Sequence, residues 1–134
     1  MKIVYQGSPG AYSHLAAKKI YTGCETIPCK TFEECFKICS EDEKFRTIIP
    51  VENSIAGRVA DIQYLINKYK LQIYAEHFES ITHNLMILPN TNIKEVKAVR
   101  SHSQAISQCQ KIINLKKLEP IIAADTAGSA KYIS

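Results

Sequence analysis

The chain has no apolar run approaching the ~20 residues that cross a bilayer as a helix, and its N-terminal apolar stretch, Ile3 to Tyr5, already stops at Gln6. That is too short for the core of a signal peptide. No membrane association is expected, and a cytoplasmic protein is. Nor are the basic residues gathered into a block: Lys and Arg number 17 against 13 Asp and Glu, spread along the chain without interleaved aromatics. A nucleic-acid partner would want a concentrated basic surface, so none is expected. The mild positive balance of +4 suits a small anionic ligand instead. There is also no C-x-x-C pair among Cys24, Cys29, Cys35, Cys39 and Cys109. Cys35 and Cys39 share a helical stripe with Phe32 and Phe36, which makes them small buried hydrophobes, reduced in the cytoplasm, rather than zinc ligands. His14, His77 and His83 complete no metal pattern and are read as surface or structural residues. Low-complexity tracts and fixed-period repeats are absent as well.

What remains is an ordinary globular composition over 134 residues, enough for one domain of two small lobes. Short apolar runs alternate with helical patterns. "KIVYQ" (2–6) reads as a strand, and "AYSHLAAKKIY" (11–21) as a helix after the turn residues Gly7 to Gly10. A weak strand is expected at "ETIPC". Thr31 and Glu34 form a capping box that opens a helix with Phe32, Cys35, Phe36 and Cys39 on one face. "TIIPV" (47–51) is a strand with Pro50 at its exit, and Val59, Ile62, Leu65 and Ile66 mark a helix after Gly57. Residues 71 to 88 read as extended, long enough for two strands or one passing between lobes. "KAVRS" and "EPIIAA" are strands flanking a helix from Gln104 to Asn114, with Ile106, Cys109 and Ile113 inward. A last helix begins near Asp125 or Thr126, with Ala127, Ala130 and Ile133 on its packed side. The alternation predicts an α/β fold with a largely parallel sheet, divided into a first lobe at 1–75 and a second at 76–134.

Four times an apolar run ends in small or polar residues that open a helix: "QGSPGAYS", "ENSIAG", "SHSQ" and "DTAGSA". Strand ends in parallel sheets lie on one rim, where ligands bind, and helix N-termini favour anions. Each cluster also has a plain explanation, since Ser13, Ser101, Asp125 and Thr126 are good helix caps. Asn53 between Glu52 and Ser54 exceeds what one cap requires, and Gln108 has no capping role. His102 beside Ser101 is a rim residue, with no nucleophile and orienting group at a spacing that would make it a catalytic base.

The stretches "YQGSPGAYSHLAA", "IIPVENSIAGRV", "HNLMILP", "VRSHSQAISQC" and "ADTAGSA", in this order, are similar to the successive motifs of the prephenate dehydratase domain. The resemblance covers essentially the whole chain. It implies a two-lobed fold like that of type II periplasmic binding proteins, with the active site between the lobes and no metal or organic cofactor. The reaction it implies takes prephenate to phenylpyruvate with loss of carbon dioxide and water, on the route to phenylalanine. By this resemblance Asn53, Ser101 and Gln108 are catalytic, and Tyr12, Ser13, Glu52, Ser54, His102 and Thr126 bind substrate. Ser103 stands where the family usually has proline.

Similar dehydratases continue past the last motif with a further helix and a Thr-Arg-Phe segment, whose threonine is regarded as the proton donor, and often with a regulatory ACT domain. The sequence reaches Ser134 without either. Relative to the family it is read as C-terminally truncated, so full activity of this chain alone and feedback by phenylalanine are not expected. A remnant that binds prephenate or a related acid without turnover is the alternative. An apolar face left uncovered by the missing segment would invite pairing, so a homo-oligomer is expected.

Overall fold

Ile3, Val4 and Tyr5 are buried in succession, which marks their strand as one covered on both faces. In the computed structural model, which describes residues 1–134, β1 (Lys2–Gln6) is the middle strand of a three-stranded sheet. It is followed by α1 (Tyr12–Ile20), β2 (Glu25–Cys29), α2 (Phe32–Glu41) and β3 (Phe45–Ile48). Both β2 and β3 run parallel to β1, with Lys2 opposite Glu25 on one side and Phe45 on the other. Successive side chains leave a strand on opposite faces. Ile3 accordingly packs with Ala17 of α1 and with Cys24, whereas Val4 packs with Cys29 and with Cys35 of α2.

Local chemistry fixes α2. Thr31 Oγ1 accepts from the Glu34 N–H at 3.1 Å, and the Glu34 carboxylate reaches back to the Lys30 N–H at 2.8 Å. The return bond thus lands one residue earlier than in a standard capping box. Cys35 and Phe36 are buried and Phe32 and Cys39 half-buried, so the expected stripe is the packed one. Strand β3 stops at Ile48, which leaves Pro50 outside the ladder.

Beyond Pro50 the structure departs from expectation. "ENSIAG" does not open a helix directly but turns a hairpin of β4 (Glu52–Asn53) against antiparallel β5 (Gly57–Arg58). Gly57 takes a φ of +78°, a conformation costly for a side chain with a Cβ, and this lets the second strand start at once. Helix α3 (Ile62–Tyr69) follows, placing Ile62 and Leu65 on Phe36. It closes on Lys70 in the left-handed region, and the Leu71 N–H returns to the Ile66 carbonyl at 3.2 Å.

The segment 71–88, expected to be extended, joins no sheet and contains no regular element. Extended apolar residues become a strand only when a neighbour accepts their backbone groups. Part of this segment is held by side chains instead: Glu79 pairs with Lys19 of α1 at 3.2 Å and with His77 at 2.9 Å. Ile73, Tyr74 and Phe78 remain exposed.

The chain divides into two compact units, Met1–Ser80 and Ile81–Ser134. In the second, a 3₁₀ turn at Ile93–Glu95 precedes β6 (Ala98–Ser101), which pairs in parallel with β7 (Glu119–Ile122). The helix expected over 104–114 is broken into α4 (Ser103–Gln108) and α5 (Gln110–Leu115). At Cys109, φ −97° and ψ 6° tighten the turn, and its N–H is shared between the Ala105 and Ile106 carbonyls. Ile106 and Ile113 are buried as expected, while Cys109 is only half-buried. In α6 (Thr126–Ile133) the buried residue is Ser129, and Ile133, expected inward, is exposed. The fold is α/β with parallel sheets. No helix is long and apolar enough to cross a membrane.

Candidate active site

In the first unit the rim is built after the C-terminal ends of β1 and β3. The Gly7 N–H bonds to the Cys29 carbonyl at 2.9 Å and the Ala11 N–H to the Ser8 carbonyl at 3.0 Å, so the turn from β1 into α1 is closed by backbone. His14 secures it from within the helix. Its Nδ1 accepts from the Gly10 N–H at 3.0 Å, while its ring stacks on the buried Tyr5 at 5.2 Å. Tyr12 and Ser13 lie in the first turn of α1, both partly exposed, and no side chain caps this helix. Ser13 is therefore not the cap that its residue type suggests.

Asn53 is the best-defined of the rim residues in this unit. Its Oδ1 accepts from the Ile55 N–H at 2.9 Å and the Ala56 N–H at 3.0 Å, which shapes the hairpin tip. An amide has one oxygen and one NH2, so with the oxygen engaged the side chain presents its donor end. Glu52, opposite Arg58 in the hairpin, and Ser54 are exposed beside it. The polar run that looked excessive in the sequence thus holds one structural acceptor and several free groups.

In the second unit the end of β6 carries Ser101, which is buried, and its Oγ donates to Thr126 Oγ1 at 3.1 Å. Thr126 is the first residue of α6, capped by Asp125, whose carboxylate accepts from the Gly128 N–H. His102 is the N-cap of α4: its Nδ1 accepts from the Gln104 N–H at 3.2 Å, a structural use of the ring. Gln108 ends α4, and its Oε1 lies 2.9 Å from His83 Nε2. His83, expected at the surface or in a structural role, has its partner 25 residues away, a pairing that no local pattern announces. Within this unit Ser101 and Thr126 are brought into contact, and Gln108 with His83.

Two cavities of the second unit measure about 170 and 220 Å³, below the ~300 Å³ at which ligand pockets usually begin. The larger is lined by Arg100, Asp125, Gly128 and Tyr132 beside the start of α6. Burial pushes the Cys35 thiol far above its ordinary range and that of Cys39 to about 11. Such thiols stay protonated and inert near neutrality. No group of three or more His, Cys, Asp or Glu side chains is arranged to hold a metal ion.

A family model for prephenate dehydratase matches residues 3–134. The chain belongs to the prephenate dehydratase family. It is 38% identical over 136 residues to arogenate dehydratase 2 of Petunia hybrida, covering all of this chain and 34% of that protein. It is 35% identical over 131 residues to a bifunctional N-acyl-homoserine lactone acylase/prephenate dehydratase of Komagataeibacter europaeus, covering 98% of this chain and 47% of the other. Among solved structures, GqqA, described as a novel type of quorum quenching acylase, superposes with a TM-score of 0.87 at 34% identity, over 99% of this chain and 49% of its own. The prephenate dehydratase of Staphylococcus aureus gives 0.71 at 22% identity over 100% of this chain and 52% of its own, a likeness of fold. The chain thus spans a third to a half of the length of these relatives.

Proposed function

We propose that this chain carries the substrate-binding residues of a dehydratase acting on prephenate or its aminated analogue arogenate. Family membership and the donor ends left free on Asn53 and Gln108 support this reading. Asn53 with Glu52, Ser54, Tyr12 and Ser13 serves from the first unit, and Ser101, Gln108, Thr126 and His102 from the second. The two-lobed, periplasmic-binding-protein-like arrangement, self-association and a cytoplasmic setting belong to the same proposal.

The chemistry suits uncharged donors. In prephenate the bond to the ring carboxylate breaks, its electron pair enters the ring, and the C4–O bond breaks with protonation of the departing hydroxyl, giving phenylpyruvate, carbon dioxide and water. Aromatisation supplies the driving force. Protein groups then have to orient a dianion and protonate the leaving group, and a carboxylate held by amides rather than by a cation is not made too stable to leave. No residue of this chain is assigned the proton donor. Binding of prephenate or a related acid without turnover is the alternative form of the proposal.

The observation that carries the proposal is Asn53, whose oxygen is committed to the hairpin and whose NH2 is not. Formation of phenylpyruvate from prephenate, followed by absorbance with Asn53→Ala as control, tests turnover. Loss of that signal in Asn53→Ala supports catalysis, and equal signal in both proteins contradicts it. The likeness to GqqA favours acylase activity as a second reading. Release of homoserine lactone from an N-acyl-homoserine lactone, with no response to prephenate, would favour that reading over the first.

A further inference from the structure

Gln108 is fixed at its backbone, and its amide meets the protein through its oxygen. The helix ends at this residue, and the turn at Cys109 is locked by bonds back to Ala105 and Ile106. The terminal torsion of a glutamine is broad and roughly two-fold, so the amide can present either its oxygen or its NH2 to a ligand. His83 Nε2, 2.9 Å from Gln108 Oε1, removes that ambiguity when it carries the ring proton, because a donor there holds the oxygen and leaves the NH2 outward. This differs from the bond of Gln110 to Asn114, which joins two residues one turn apart on α5. The His83 bond joins the segment 71–88, which has no strand partner, to the end of α4.

We propose that His83 is a positioning residue for Gln108, orienting its amide so that the NH2 faces an anionic substrate; this rests on the reading of Gln108 given above. An unoriented amide would spend part of its time with its oxygen toward the carboxylate, which repels it. His83 itself touches no substrate in this account.

The test is a double-mutant cycle on the purified chain, with prephenate as probe in a calorimetric titration. His83→Ala should weaken binding about five-fold, the scale of one lost hydrogen bond. His83→Gln, which keeps a donor near the Nε2 position, should recover most of it. In a Gln108→Ala background, His83→Ala should cost nothing more, whereas a merely structural histidine would weaken both backgrounds equally. Equal losses in the two backgrounds would overturn the proposal. Gln108→Ala with unchanged affinity would instead sink the assignment of Gln108 itself, and the positioning role with it. A second readout needs no ligand. The Gln108 side-chain NH2 resonances, identified by their disappearance in Gln108→Ala, should shift in His83→Ala, and unshifted resonances would show that the bond does not form.

Discussion

The two units are built from the same βαβ vocabulary but bury very different amounts of it. In the first, β1 is flanked by strands on both edges, and Ile3 and Val4 are wholly buried against different helices. In the second, β7 has one neighbour and all four of its residues are exposed, with Ile122 at 59%. Its buried apolar residues are Ile106 and Ile113. A central parallel strand makes a core; a two-stranded sheet holds its shape through caps and side-chain bonds instead. The difference teaches that similar local sequence patterns do not carry similar stability, and that the candidate residues of the second unit sit on the softer scaffold.

The largest expected effect tests that contrast at a strand. Ile3→Ala should destabilise the first unit by about 2–5 kcal/mol, the range for truncating a buried isoleucine, whereas Ile122→Ala should stay within about 0.5 kcal/mol. Urea denaturation with hydrogen exchange read separately on β1 and β7 checks both; equal costs would erase the distinction. Next come the caps. Thr31→Ala and Asp125→Ala each remove an N-cap worth about 1 kcal/mol. With little packing behind it, α6 should lose its protection from exchange while α2 keeps most of its own. Gly128→Ala should mimic the Asp125 change, since an added Cβ would lie 2.7 Å from the capping carboxylate.

The smallest effect concerns acid. Hydrogen bonds from Lys68 and Tyr69 hold the Glu33 carboxyl below its ordinary value, clamping α3 to α2. A carboxyl lowered in the folded state adds stability above its unfolded value, and that stability is lost as pH falls through the folded one. Being exposed, the clamp is weak. Melting temperatures of the wild type and Glu33→Gln should differ slightly at pH 7 and converge as the pH falls through the lowered folded-state value of Glu33. A gap that persists in acid would mean the clamp is not electrostatic.

Where the sequence was legible, one local rule decided the outcome. The capping pattern of Thr31 and Glu34, with apolar residues at helical spacing, gave α2 both its start and its packed face. Three adjacent apolar residues likewise gave β1. The hairpin at 52–58 was hidden because its turn is made by the Asn53 side chain accepting from the backbone N–H groups of Ile55 and Ala56, which looks like loose polarity in a sequence. The segment 71–88 has the extended composition of a strand, yet pairing depends on a partner that no local pattern names. The break at Cys109 carries neither glycine nor proline. At the candidate site, residue types were readable, but not the division of labour within each amide: Asn53 and Gln108 each spend an oxygen on the protein, and His102 spends a ring nitrogen on a helix cap.

The central claim is that Asn53 serves the fold with its oxygen and a ligand with its NH2. Asn53→Asp separates the two, because it retains the acceptor and removes the donor. Titration of prephenate into this variant and the wild type, with hydrogen exchange of the Ile55 and Ala56 amides as the structural control, tests the claim most directly. The account predicts unchanged protection of those amides and affinity lowered about ten-fold or more, the scale of a lost hydrogen bond to a charged group. Unchanged protection with unchanged affinity would contradict it.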